Sequence, residues 1–425
     1  MQHSSDETEV LVLVADRLFD TATGRCVPAL AVVCTGARID DVVPAGRAPA
    51  DGEVVRAGRV RRVELPGHTL LPGLVDCHTH LVGEEESGQG YAHLVSRSAA
   101  QDVLLGVEHA RRTVRAGFTT VRDVGSFRAF TDVALRDAIA AGVVEGPRML
   151  CAGAYVTTPG GAGDITGLAV DVDAVVPAEL RYGVCSGPDA VRSTVRRVLG
   201  RGADLVKVLA TGAVLTAGTT PGAPELTLAE LEAAVEVATD NGTHVAAHAH
   251  GAEGIRRAVL AGVRSIEHGS LLDDATVALM AEHGTYLVAD LYDGDWLLEH
   301  GPRLGFSAEV MRKTDETTQA QRDGFAAAVA AGVRIAYGTD AGVFPHGENG
   351  KQLDCYVRWG LTPAQALLSA TRWAAELLGL EREIGRLAPG LAADVVAVPG
   401  DPTLDVRGCE RPALVVRAGR VVVGP

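Results

Sequence analysis

Two histidines one residue apart, His78 and His80, close the stretch Leu71-Pro-Gly-Leu-Val-Asp-Cys-His-Thr-His80. The apolar Leu70, Leu71, Leu74 and Val75 ahead of them predict a short buried strand that ends at the pair. Alternate side chains of a strand share a face, which sets the two Cα atoms about 6 to 7 Å apart and lets both imidazoles reach one metal ion. Histidine pairs near loops are more often hydrogen-bonded surface residues than ligands, so the metal reading depends on candidate partners downstream: Lys207, His248, His268 and Asp340. Each has a bland alternative. Lys207 could be an ion-pair partner, His248 or His250 a core histidine bonded to a carbonyl, and Asp340 a helix N-cap before Ala341-Gly342.

The elements that must position these residues are legible in turn. Residues 9 to 70 read as short strands broken by Thr23-Gly24, Thr35-Gly36 and Asp51-Gly52, and Ala393–Val398, Ala413–Val416 and Val421–Val423 are similar. A β-rich segment at each end predicts one small β-sandwich domain assembled from both termini, residues 1–70 and 381–425. Between them, residues 71–380, a strand, loop and helix rhythm repeats eight times. Its strands are the one ending at His80, then Gly117–Gly125, Pro147–Val156, Ala203–Ala210, Thr243–His248, Val263–His268, Thr285–Asp290 and Val333–Asp340. Glycines 117, 262 and 332 end the helices that feed three of them, and Thr227–Glu230 and Thr362–Gln365 fit helix-starting capping boxes. The pattern predicts an α/β fold, a (β/α)8 TIM barrel, whose active site lies at the carboxyl ends of its strands. A doubly wound open sheet is the alternative, but no Gly-x-Gly-x-x-Gly opens a helix after a strand. A barrel would bring His78, His80, Lys207, His248, His268 and Asp340 to one mouth, which favours a metal site over six separate structural roles.

Composition narrows the classes. With 425 residues, 47% hydrophobic and 22% charged, the chain can hold one large core and a smaller one. A net charge of -15 and the absence of a Lys/Arg cluster argue against nucleic acid as a partner. The polar, acidic start Met1–Glu9 lacks the features of a signal peptide, and no apolar run is long enough for a bilayer, so no membrane partner is expected. Seven scattered cysteines without a CxxC pair fit reduced thiols in a cytoplasmic protein, with Cys77 facing away from the histidines on its strand.

Leu71–His80, Glu267-His268-Gly, Gly338-Thr-Asp340 and Leu387–Asp394 together resemble the metal-dependent amidohydrolase superfamily over nearly the whole chain. Val206-Lys-Val-Leu-Ala-Thr-Gly212 and Val245-Ala-Ala-His-Ala-His-Gly251 are similar to the branch holding Xaa-Pro and Xaa-Arg dipeptidases, imidazolonepropionase-like proteins and ochratoxinase-like amidases. The resemblance implies two divalent metal ions, zinc first by donor type. His78, His80 and Asp340 would hold one ion and His248 and His268 the other, with Lys207 bridging them as N6-carboxylysine. An unmodified lysine is a cation and cannot ligate, so this reading requires the modification. The implied reaction is attack of a metal-bridging hydroxide on an amide carbonyl, with Asp340 as ligand and general acid/base and Lys207 as part of the catalytic centre. His250 faces the same mouth as His248 and is assigned to substrate contact or oxyanion stabilisation. The resemblance also implies a homo-oligomer.

Substrate contacts are expected on loops after the strands: Glu84–Tyr91, Tyr155–Asp164, Thr211–Thr220 and Tyr292–Trp296, with Tyr155 and Tyr292 singled out. Ala162 in Pro159-Gly-Gly-Ala-Gly-Asp164 stands where look-alike enzymes often carry a histidine, a departure that bears on specificity. The expected substrate is a small-molecule amide, a dipeptide or N-acyl amino acid with a free carboxylate. Alternatives are a cyclic amide or imidazolone hydrolase, a Schiff-base enzyme using Lys207, for which the histidines are superfluous, and a non-catalytic scaffold, which a missing ligand would mark.

Overall fold

The computed structural model describes residues 8–55, 58–83, 88 and 91–424. Within the expected Glu84–Tyr91 contact loop, residues 84–87, 89 and 90 lie outside the described residues, as do the first seven residues of the polar start.

Among the described residues, both ends of the chain build one nine-stranded sheet. The long strands Thr8–Asp20 and Gly58–Pro72 run parallel at its centre, and Val395–Pro399 pairs antiparallel with the second of them. Period-2 alternation sorts the first strand's side chains: Leu11, Leu13 and Ala15 pack with Val395, Ala397 and Leu414 on one face, while Val10, Val12 and Val14 pack with Val33 and Val60 on the other. Both faces are therefore buried, and the nine strands form one continuous hydrogen-bonded ladder.

The intervening residues alternate parallel strands with helices. Leu74–Thr79, Phe118–Asp123 and Arg148–Cys151 form one parallel sheet. Tyr155–Val156, Val206–Leu209, Val245–Gly251, Ser265–Leu271, Tyr286–Val288 and Arg334–Ile335 form a second. The strand predicted over 147–156 is thus split, its first half pairing with the strand before it and its second half with the strand after. Backbone bonds run from Cys77 N to the Tyr337 carbonyl and from His80 N to the Ala341 carbonyl, 2.8 and 2.9 Å, so the first and last parallel strands are neighbours. These strands are buried on both sides, which is why they read as near-continuous apolar runs.

Helix ends follow local chemistry. Thr227 and Thr362 each cap a helix, with Glu230 and Gln365 completing the box. Gly262 ends its helix at φ 90°, a left-handed turn that a residue with a Cβ adopts poorly. One expected loop is corrected: Tyr292–Trp296 after the seventh strand belongs to a helix, Leu291–Leu304, with Asp293 in its first turn and Pro302 near its end. No helix among the described residues is long and apolar enough to cross a membrane.

Candidate active site

The parallel strands deliver His78, His80, Lys207, His248, His250, His268 and Asp340 to one cavity of about 440 Å³. His78 and His80 direct their Nε2 atoms at one carboxylate oxygen, Asp340 Oδ1, at 3.4 and 3.1 Å. The rings of His248 and His268 lie 4.5 Å apart by centroid, and His78 is 4.8 Å from His268. Lys207 lines the same cavity from the strand Val206–Leu209 and is 2% exposed.

The backbone is bent to make this convergence. His268 and Asp340 have φ of 70° and 58°, left-handed values uncommon outside glycine, and both line the cavity, His268 within the strand Ser265–Leu271 and Asp340 beyond Arg334–Ile335. Such conformations cost about 1–3 kcal/mol and persist where surrounding structure enforces them. At His268 the turn has a visible purpose. Ser265 and Glu267 share the inward face by strand alternation, and the left-handed turn brings the next residue inward as well. Gly338 serves the opposite need, since a Cβ there would lie 2.2 Å from Val288 Cγ1 and 2.8 Å from His78 Cβ.

Each histidine has one nitrogen held by a partner. His78 Nδ1 is 2.9 Å from Glu267 Oε2, His268 Nδ1 is 2.6 Å from Asp290 Oδ2, and His80 Nδ1 is 2.7 Å from the Gly125 carbonyl. His248 Nε2 is 3.2 Å from the Gly212 carbonyl, and His250 Nδ1 is 2.8 Å from Ser270 Oγ. The carboxylate and carbonyl partners fix a tautomer with N–H outward, leaving the other nitrogen's lone pair for the cavity. Glu267 is itself held by Arg122, which is fully buried and donates to it at 2.7 Å. Gln321 donates to Asp290 at 2.7 Å.

Electrostatics agree with ligation. Burial, followed by the Lys207 charge, drives the His78 pKa well below the ordinary imidazole value, and burial with neighbouring imidazoles does the same for His248 and His250. Neutral imidazole is the form that binds metal. Burial opposes ionisation of Asp340, but the imidazoles packed around it, His78 and His80 first, outweigh it and hold the carboxyl well below its usual range. His80 shifts up because the Asp340 carboxylate facing its Nε2 at 3.1 Å outweighs its own desolvation. Burial lowers Lys207 to about 8, so much of this amine is neutral in mildly basic solution.

The residues fit a metal. Asp340 Oδ1 is buried with no hydrogen-bond partner, although two imidazole nitrogens face it, a geometry suited to a cation between them. Donor atoms of His248, His250 and His268, and of His78, His268 and Asp340, cluster within 4.8 Å of one another. His250 belongs to the first group, so the strand geometry leaves both strand-five histidines able to ligate. Tyr155 lines the cavity and donates its hydroxyl to the Gly125 carbonyl at 3.0 Å, beside His80. Tyr292 does not line it. Its hydroxyl is 3.0 Å from Glu348 and 3.1 Å from Lys351, and its ring packs on Phe344, because the helix starting at Leu291 turns it away.

The Amidohydrolase family profile matches residues 69–422. The chain belongs to the amidohydrolase family. An ochratoxinase from Aspergillus niger is 30% identical over 374 residues, 84% of this chain and 76% of that protein. An imidazolonepropionase from Chromobacterium violaceum is 27% identical over 408 residues, 86% of this chain and 84% of that protein. A crystal structure of a Xaa-Pro dipeptidase with bound methionine in the active site superimposes with a TM-score of 0.89 at 36% identity, covering 97% of this chain and 99% of that one. These likenesses agree with a hydrolase acting on carbon–nitrogen bonds.

Residue reasoning missed Glu267, Arg122, Asp290 and Gln321, whereas Asp293, within the expected Tyr292–Trp296 contact stretch, does line the cavity. Asp290 ends a predicted strand just as His268 and Asp340 do, so the signal was available. Arg122 and Glu267 pair only through the fold, across 145 positions.

Proposed function

We propose that this amidohydrolase is a binuclear metal-dependent enzyme that cleaves the C–N amide bond of a small molecule, with dipeptides and N-acyl amino acids as the substrate class. The observation that carries the reading is the buried, unpartnered Asp340 Oδ1 faced by His78 and His80, with His248, His268 and Lys207 beside it. The reading includes a closed (β/α)8 barrel over residues 71–380 and a small β-sandwich domain from residues 1–70 and 381–425. The backbone bonds between the first and last parallel strands support the closure.

His78, His80 and Asp340 would hold one divalent cation, His248 and His268 the other, with Lys207 bridging as its carboxylated form and zinc suited to these donors. When bound, such ions polarise the amide carbonyl and make water nucleophilic at neutral pH. Asp340 accepts a proton from the attacking water on its carboxylate and returns it to the leaving nitrogen. His250, with Nδ1 tied to Ser270, presents Nε2 to the carbonyl oxygen of the substrate. Glu267 and Asp290 hold the His78 and His268 rings in the tautomer that leaves Nε2 for the cavity.

Elemental analysis of protein prepared with bicarbonate tests the reading. About two divalent ions per chain, with hydrolysis of members of a dipeptide and N-acyl amino acid panel, is expected. One ion or none under non-stripping conditions would require a mononuclear scheme without a bridging lysine.

A further inference from the structure

Above the histidines the cavity has two apolar walls. Leu94, Phe127 and Tyr155, packed through Phe127, form one, and Leu215, Leu297, Phe306 and Val343, one packed cluster, form the other. The polar groups within these walls are already engaged. Arg128 donates from Nε to Asp102 at 2.9 Å, from Nη1 to Glu179 at 2.6 Å, and from Nη2 to the carbonyls of Leu94 and Arg97. Thr314, Thr317 and Thr318 donate to carbonyls one turn earlier on their own helix. Thr216 donates to the Ala162 carbonyl, Tyr91 to the Asp164 carbonyl and Tyr155 to the Gly125 carbonyl.

Arg128 and Lys207 are the lysine and arginine side chains that line this cavity among the described residues, and Lys207 lies at its floor among the histidines. Residues 84–90, part of which lies outside the described residues, contribute neither lysine nor arginine to the sequence and carry three glutamates. Asp290 and Asp293 add carboxyl groups near the floor. Among the described residues, a substrate carboxylate held between these walls meets Arg128 as the one lysine or arginine above the floor, and that side chain is already committed to Asp102, Glu179 and two carbonyls, so its desolvation there goes uncompensated by an ion pair. An apolar substituent, by contrast, gains from every part of the walls it covers.

We propose that the site selects amides by apolar groups on both sides of the scissile bond, and that a substrate carboxylate is tolerated rather than recognised. The proposal rests on the amide-hydrolase reading and specifies its substrate class: N-acylated apolar amines and apolar N-acyl amino acids alike. Leu215 is the specificity-determining residue to probe, because it lies on the wall without taking part in the donor cluster.

The test compares a matched pair, N-benzoyl-phenylalanine and N-benzoyl-2-phenylethylamine, which differ only in the carboxylate, on the metal-loaded protein. Values of kcat/KM within about threefold of each other are expected, both well above N-acetylglycine. A loss of about 30-fold or more on removing the carboxylate would overturn the proposal, because that is the scale of a charge-assisted contact. Leu215→Asn should lower both values by the same factor, about tenfold, with an unchanged Tm, and no loss would equally overturn it. If neither amide is hydrolysed, the amide-hydrolase reading fails, and calorimetric binding of the same two compounds decides the proposal separately. Comparable affinities support it, and binding of only the carboxylate, or of neither, rejects it.

Discussion

Glu267 Oε2 lies 2.9 Å from Nδ1 of His78, a residue 189 positions away, and the same carboxylate receives Arg122 Nη2 at 2.7 Å. All three side chains are 1% exposed or less. The chain therefore keeps a buried ion pair beneath its candidate metal centre, an arrangement whose desolvation makes it weak as a source of stability. Its visible effect is on His78, whose ring is fixed with Nε2 toward Asp340. Glu267→Gln is expected to reduce metal affinity by about 10- to 100-fold, the usual consequence of losing a ligand's outer partner. Chelator competition measures it. Because the change also leaves Arg122 buried without its counter-charge, a lower Tm should accompany it, and unchanged metal affinity alongside a lower Tm would limit Glu267 to a structural role.

Asp340→Asn should remove hydrolysis, by about 10³-fold or more, with little change in Tm. Asparagine tolerates the left-handed φ of 58° that Asp340 adopts. The backbone turn at the end of the last parallel strand can thus survive while the carboxylate is lost. Steady-state kinetics beside thermal melts checks both halves, and full activity would take Asp340 out of the proton path.

Lys207→Ala should lose bound metal and activity together, with partial rescue by short carboxylic acids that fill the space of a carbamate. In the unmodified protein, burial lowers Lys207 to about 8. Below that pH the folded state holds a buried ammonium, and the resulting penalty fades as pH rises from about 8 toward the unfolded lysine value of about 10.4. Only the neutral amine adds carbon dioxide. At fixed dissolved carbon dioxide, metal-dependent reactivation of bicarbonate-depleted protein should quicken as pH rises through about 8 and then level off, and a rate flat between pH 6 and 9 would contradict a carboxylated lysine.

Much of this site is legible in the primary structure because strand ends concentrate chemistry: His78, His80, His248, His268 and Asp340 each close an apolar run. Tyr292 misleads for a local reason, since Leu291–Leu304 continues as a helix where a contact loop is expected and carries the ring toward Phe344. Arg122 and Glu267 are hidden for a different reason. Arg122 is followed directly by Asp123 and Glu267 by His268, so nothing local marks either as the other's partner until the fold sets the two side by side. The split of the third parallel strand between Cys151 and Tyr155 falls at Ala152-Gly-Ala154, where Gly153 takes a left-handed φ of 74°, a single glycine that is easily read as part of a continuous strand.

Glu225 links the cavity wall to pH. Its carboxylate accepts the Ala162 amide at 2.8 Å, and burial raises its pKa to about 7, more than that bond lowers it. A carboxyl whose folded pKa lies above its unfolded value stabilises the fold when protonated. That contribution is complete below about pH 4.3 and is lost as pH rises through about 7. Glu225→Gln keeps an oxygen acceptor for Ala162 without the titration. Its denaturation midpoint should therefore fall less than that of the unaltered protein between pH 4.5 and 7, and parallel curves would show that Glu225 does not titrate in this window.

Gly338→Ala tests how closely the last parallel strand must approach the first. The added methyl would sit 2.2 Å from Val288 Cγ1 and 2.8 Å from His78 Cβ. Neither neighbour can withdraw easily: Val288 is fully buried in a parallel strand, and His78 is tied through Nδ1 to Glu267. Overpacking of this kind costs about 1–3 kcal/mol, and relief by moving His78 would also shift its Nε2 away from Asp340. The variant should therefore melt earlier and bind metal more weakly, whereas Gly305→Ala, at an open position with φ of 87°, should lose stability without changing metal affinity. Equal metal binding in both variants would mean that the separation of these two strands does not set the geometry of the donor cluster.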